Sequence, residues 1–125
     1  MKYLKYIFIL FGLFEIFAAY GSLTSSPEAI NTEFGGQFIT PESMHYVKGF
    51  GNAILSIGII SIAAFFVKER LALIGIIIGC LVYNILAAYG CYVDLHLTSR
   101  YQIGMYAHCV FSVLFALMLV LSFRE

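Results

Sequence analysis

An all-α fold, a four-transmembrane-helix antiparallel bundle with a long loop between helices 1 and 2, is what this sequence predicts, on three observations. The 125 residues are 62% hydrophobic and 11% charged, with a mean hydropathy of +0.94. A soluble chain of this size needs far more polar surface to cover a core. The apolar residues fall into four blocks, 6–23, 47–67, 71–93 and 101–123. A hydrocarbon layer of about 30 Å takes about 20 helical residues at about 1.5 Å each, which every block supplies, the first only just. The two prolines, Pro27 and Pro41, both lie between the first two blocks, so no span is interrupted. The four spans are expected to form one domain over residues 1–125.

The first span begins after Lys2 and Lys5. Together with Ala19-Tyr20-Gly21 this pattern also reads as a signal peptide with a small-residue cleavage site. Glu15, a carboxyl inside the apolar run, fits that reading poorly. In the connection that follows, Ser26-Pro27-Glu28 and Thr40-Pro41-Glu42 each spell a helix start: a capping hydroxyl, proline at the first position and an acid in the first turn. The first start predicts a short surface helix ending at Gly35-Gly36. The second starts the next span before the membrane, bringing His45 and Lys48 in at headgroup level. Lys68-Glu69-Arg70 is a tight turn that folds the second and third spans into a hairpin. Ser99-Arg100-Tyr101-Gln102 fits a capping box for the fourth. Tyr20, Tyr46, Tyr92 and Tyr101 mark one interface, and Tyr3, Phe66 and Phe123 the other, as an aromatic belt does.

Orientation follows from the basic residues. With the N-terminus inside, Lys2, Lys5, Lys68, Arg70 and Arg124 share the inner side, and only Lys48 and Arg100 fall outside. The positive-inside rule then places both termini in the cytoplasm. The expected location is a bacterial inner (plasma) membrane. Seven basic and seven acidic residues cancel, so nothing points to nucleic acid. Cys80, Cys91 and Cys109 fit no metal or redox spacing and read as small buried apolar residues. His45, Asp94 and His96 lack ligand spacing, so no metal site is assigned. Gly75 with Gly79, and Gly49 with Ala53, are small-residue pairs that suit ordinary packing or a homodimer equally.

Function is sought in a polar layer. A charge at the centre of a membrane helix costs roughly 2.5–3.5 kcal/mol on insertion scales, so such groups face a bundle interior or a pathway. Counting inward from the outer boundary, Glu15 lies about 12 Å deep, Asn52 about 9 Å, Asn84 about 13 Å and His108 about 10 Å. Each span thus offers one strong polar group at one depth. These four are the candidate ligand-binding or proton-carrying residues. His45 and Lys48, in helical register with Asn52, are the candidate pocket entrance. A carboxyl and an imidazole at one level can accept, hold and release a proton, while two asparagines add uncharged donors and acceptors. The alternative is that the four only bond one another and fix helix register.

Val47-Lys48-Gly49-Phe50-Gly51-Asn52-Ala53, running into Leu55-Ser56-Ile57-Gly58, resembles the second-helix signature of small DoxX-like four-helix membrane proteins. The long connection after the first span, the basic turn 68–70 and Asp94 after the third span are similar too. The resemblance implies a link to quinone-dependent oxidation or to membrane redox complexes, and transfers no catalytic residue. A carboxyl midway along the first span is also similar in its chemistry to small multidrug-resistance exporters. Their loops are shorter, however, and their third-helix tryptophan has no counterpart in a chain without tryptophan.

Three functions stay open. The first is binding of an amphipathic small molecule, lipid or quinone, as a redox-complex accessory. The second is proton-coupled transport by a dimer. The third is an assembly or immunity role without a ligand. The chain holds no Gly-x-Ser-x-Gly, phosphate loop or paired metal-ligand helix motif, so no catalytic residue and no cofactor is assigned.

Overall fold

The computed structural model describes residues 3–33, 40–95 and 98–124. Among them the chain forms α1 (Tyr6–Thr24), α2 (Pro27–Glu33), α3 (Pro41–Ala64), α4 (Arg70–Val93) and α5 (Arg100–Ser122), with no strand. The fold is all-α. α1, α4, α5 and the stretch Ser43–Ala64 of α3 are long and apolar enough to cross a membrane.

Local chemistry sets the ends of these helices. Ser26 Oγ accepts from the Ala29 N–H at 3.2 Å and starts α2. The expected end of that helix at Gly35-Gly36 lies outside the described residues. Thr40 and Ser43 exchange side chain-to-backbone bonds of 3.0 and 3.2 Å, a closed capping box ahead of Pro41. Glu69 accepts from the Ala72 and Leu71 N–H groups and caps α4. Those two amides hold its carboxyl below the usual carboxylate range, Ala72 contributing more than Leu71. The start of α5 corrects the expected box: Ser99 is already helical and makes no side-chain cap bond. Thr98, one residue earlier, accepts from the Arg100 N–H at 3.3 Å instead.

The four long helices assemble as two close pairs. In the first, α1 and α3 run antiparallel with their backbones nearly touching. A Cβ on Gly12 would fall 2.7 Å from the Gly58 carbonyl oxygen, and one on Gly58 would fall 2.9 Å from that of Gly12. Only glycine permits this approach at both positions. The expected small-residue pair Gly75 and Gly79 takes no part, since a Cβ on either would meet nothing within 4 Å. In the second pair, α4 lies antiparallel to α5, with Cys91 beside Gly104 and Asn84 beside His108.

Contact between the pairs is of another kind, made by large side chains. Phe8 meets Phe115 at 5.5 Å between ring centroids, Phe11 meets Phe111 at 5.0 Å and Phe115 at 5.3 Å, and Phe14 meets Phe111 at 5.5 Å. The end of the bundle that carries the 65–69 connection, the turn end, is also stapled. Lys5 Nζ donates to the Val67 carbonyl, and Arg70 donates to the Ser122 carbonyl at 2.7 Å. The latter puts a cation against the terminal carbonyls of α5, where the helix dipole favours one.

Candidate functional site

Three of the four expected residues meet. Glu15 on α1, Asn84 on α4 and His108 on α5 are all buried, the first two at 1% and 0% exposure. Their level is set by the ring contacts that fix α1 against α5: Phe8 opposes Phe115, so Glu15, seven residues on, opposes His108. Asn84 Nδ2 donates to the Cys80 carbonyl one turn back at 2.8 Å, leaving its Oδ1 to face His108 Nδ1 at 2.9 Å. An amide oxygen only accepts, so Nδ1 must carry a hydrogen. Glu15 Oε1 stands 3.8 Å from that same nitrogen, beyond hydrogen-bond length.

A fourth member was not among the expected residues. Tyr83 Oη donates to Glu15 Oε2 at 3.1 Å, reaching across from α4 to α1. Its ring stands edge-on to His108 at 5.7 Å and near Phe11 at 6.0 Å, and Phe14 closes another side of the imidazole at 5.6 Å. The sequence did hold a signal. Tyr83 lies mid-helix, away from the aromatic belts at the ends, and a phenol in that position needs a polar partner.

Asn52 is the expected residue that the fold leaves out. It is exposed, and so are His45 and Lys48. Two features of α3 explain this. Gly58 packs against Gly12 and Ile16, while Gly51 packs against Ser22 and Leu23, so Asn52 sits level with the end of α1. That is six residues, or about 9 Å, from the level of Glu15. At about 100° per residue, His45, Lys48 and Asn52 also share a face opposite the buried Ile54 and Gly58. This stripe points away from the bundle and lines no approach to the layer.

The arrangement has one unmet demand. Glu15 Oε1 is buried with no hydrogen-bond partner, although its sister oxygen is bonded. A buried carboxyl oxygen without a partner is strongly unfavourable, so Oε1 calls for a proton shared with the His108 side or for a donor from elsewhere. That proton makes either an acid beside a neutral ring or an ion pair, both neutral overall. The layer can therefore hold a proton, or can accept a donor from a ligand at Oε1. No cluster of three metal-ligating side chains occurs among the described residues, and His96 lies outside them. Cys80 is buried, as expected, but Cys91 is half-buried and Cys109 exposed, because position 109 of α5 turns away from α4.

At the other end of the bundle, Glu33 Oε2 pairs with Arg100 Nη1 at 3.0 Å, and Thr98 Oγ1 donates to Glu33 Oε1 at 3.4 Å. An open cleft of about 630 Å³ lies beside this contact, lined by Thr32, Glu33, Thr98 and Arg100 among others, and is separate from the Glu15 layer. Compared with known protein families, curated proteins and solved structures, the chain matches none.

Proposed function

We propose that the chain is a small integral membrane protein that binds the polar head of an amphipathic molecule, a lipid or a quinone, at the layer formed by Glu15, Tyr83, Asn84 and His108. The observation that carries this reading is the unpartnered Glu15 Oε1, buried between the two helix pairs while Tyr83 holds its sister oxygen. Buried polar atoms are almost always satisfied, so an acceptor left open among fixed neighbours calls for a donor from elsewhere. The aromatic rings of Phe11, Phe14 and Phe111 supply apolar walls of the kind that ligand sites use. The DoxX-like outline of the sequence supports reading it as a redox-complex accessory of a bacterial inner membrane, and the basic residues at the turn end favour cytoplasmic termini.

The test is native mass spectrometry of the detergent-extracted protein with lipid and quinone analysis. Wild type should carry a stoichiometric amphipathic ligand. Glu15→Gln should lose at least nine-tenths of it, and Asn52→Leu should retain it. Ligand-free wild type, or equal retention in Glu15→Gln, would sink the reading. The same Glu15–His108 pair supports a second reading, a proton-coupled carrier. Substrate-driven proton uptake by vesicles, abolished in Glu15→Gln, would select it.

A further inference from the structure

The two ends of the seam between the helix pairs are built differently. From the layer towards the turn end, the seam is filled by one apolar cluster drawn from all four long helices, including Phe8, Phe11, Ala64, Ile77, Phe115 and Met118. Towards the α2 end, the buried hydrophobic residues among those described are Ala19, Ile30 and Ile54. The covalent link between the pairs, residues 65–69, is at the filled end. At the sparse end the pairs are tied by Glu33, the last residue of α2, holding Arg100 and Thr98 at the start of α5.

We propose that the two pairs form a clamp that opens at the α2 end, hinged at the 65–69 connection and latched by Glu33 on Arg100 and Thr98. Opening uncovers the Glu15 layer from that side and leaves the cluster beneath it intact. Within each pair nothing need move, because the Gly12–Gly58 contact and the Arg70 staple lie inside a pair, while Lys5 ties the start of α1 to Val67 in the hinge connection itself. Domain closure about a short connection between two packed bodies is an established mode of protein motion. The latch is weak by construction. The Arg100 side chain is 67% exposed, and exposed ion pairs contribute little. A weak tie suits a contact that must break repeatedly. The clamp goes beyond the binding reading and would operate equally if the layer held only a proton.

Three native cysteines report on it. Cys91 lies on the α2 side of the layer, two turns along α4 from Asn84, half-buried beside Gly104. Cys80 lies one turn beyond Asn84 towards the hinge, within the apolar cluster. Cys109 is exposed on the outside of α5. Modification by a charged methanethiosulfonate reagent, followed by mass spectrometry on the purified full chain, reads all three. Arg100→Gln should raise the rate at Cys91 roughly two- to five-fold, the range that loss of an exposed ion pair allows. Cys80 and Cys109 should keep their rates. The charge swap Glu33→Arg with Arg100→Glu should return Cys91 to the wild-type rate, which general destabilisation would not do. An unchanged Cys91, an equal rise at Cys80, or a swap that fails to restore would each overturn the clamp. None of these outcomes depends on whether a ligand co-purifies.

Discussion

The half of the bundle below Glu15 and the half above it are made from the same four helices, yet they are held by different means. Towards the 65–69 connection, interlocking rings join the two helix pairs, with Phe8, Phe11 and Phe115 all fully buried. Towards α2, the buried hydrophobic residues among those described are Ala19, Ile30 and Ile54, and the tie between the pairs is an exposed ion pair. In lipid, an apolar side chain gains little by leaving its solvent, so close packing and polar contacts must supply the cohesion. Where rings interlock the pairs are firm, and where they do not the pairs can part. The polar layer lies on that boundary, supported from one side and approachable from the other.

The largest expected effect tests this contrast directly. Phe115→Ala removes a ring that meets both Phe8 and Phe11 and should destabilise the fold by about 2–3 kcal/mol. This is below the usual aqueous range, because lipid reduces the transfer contribution and leaves the cavity. Ile54→Ala, at a buried position on the sparse side, should lose about 1 kcal/mol. Reversible unfolding in mixed micelles compares the two, and equal losses would abolish the distinction between the halves.

A smaller effect sharpens the description of the hinge. Glu69, the last residue of the 65–69 connection, has a folded-state pKa lowered by the Ala72 and Leu71 amides. A lowered pKa means that its contribution is complete above the unfolded value and fades as pH falls through the folded one. Unfolding titrations between about pH 6 and 3 should therefore show a shallower acid loss in Glu69→Gln than in wild type. Identical slopes would remove Glu69 from the capping scheme.

Much of the architecture was legible in the chain. Hydropathy located the four long helices, and the Ser26-Pro27 and Thr40-Pro41 signals located two helix starts, because capping chemistry is local. What required the fold was register between helices. Counting depth from Tyr46 put Asn52 in the layer, whereas α3 extends well past the end of α1 once Gly12 and Gly58 lock together. Those two glycines are 46 positions apart and form no motif within one helix, while the conspicuous Gly75 and Gly79 pack against nothing in this chain. Glu15, Asn84 and His108 were found because a strong polar group inside an apolar helix demands a partner wherever it lies. Tyr83 escaped because tyrosine is ordinarily assigned to a membrane interface. Ser99 gave way to Thr98 as the cap because both hydroxyls precede the same helix and backbone geometry chose between them.

Solid-state or micelle ¹⁵N NMR of the imidazoles tests the layer most directly. With the Asn84 amide nitrogen committed to the Cys80 carbonyl, His108 should carry a hydrogen on Nδ1, and Asn84→Leu should move that resonance while leaving exposed His45 in place. A neutral His108 with bare Nδ1 and protonated Nε2 in the wild-type protein would contradict the arrangement of Glu15, Asn84 and His108 described here.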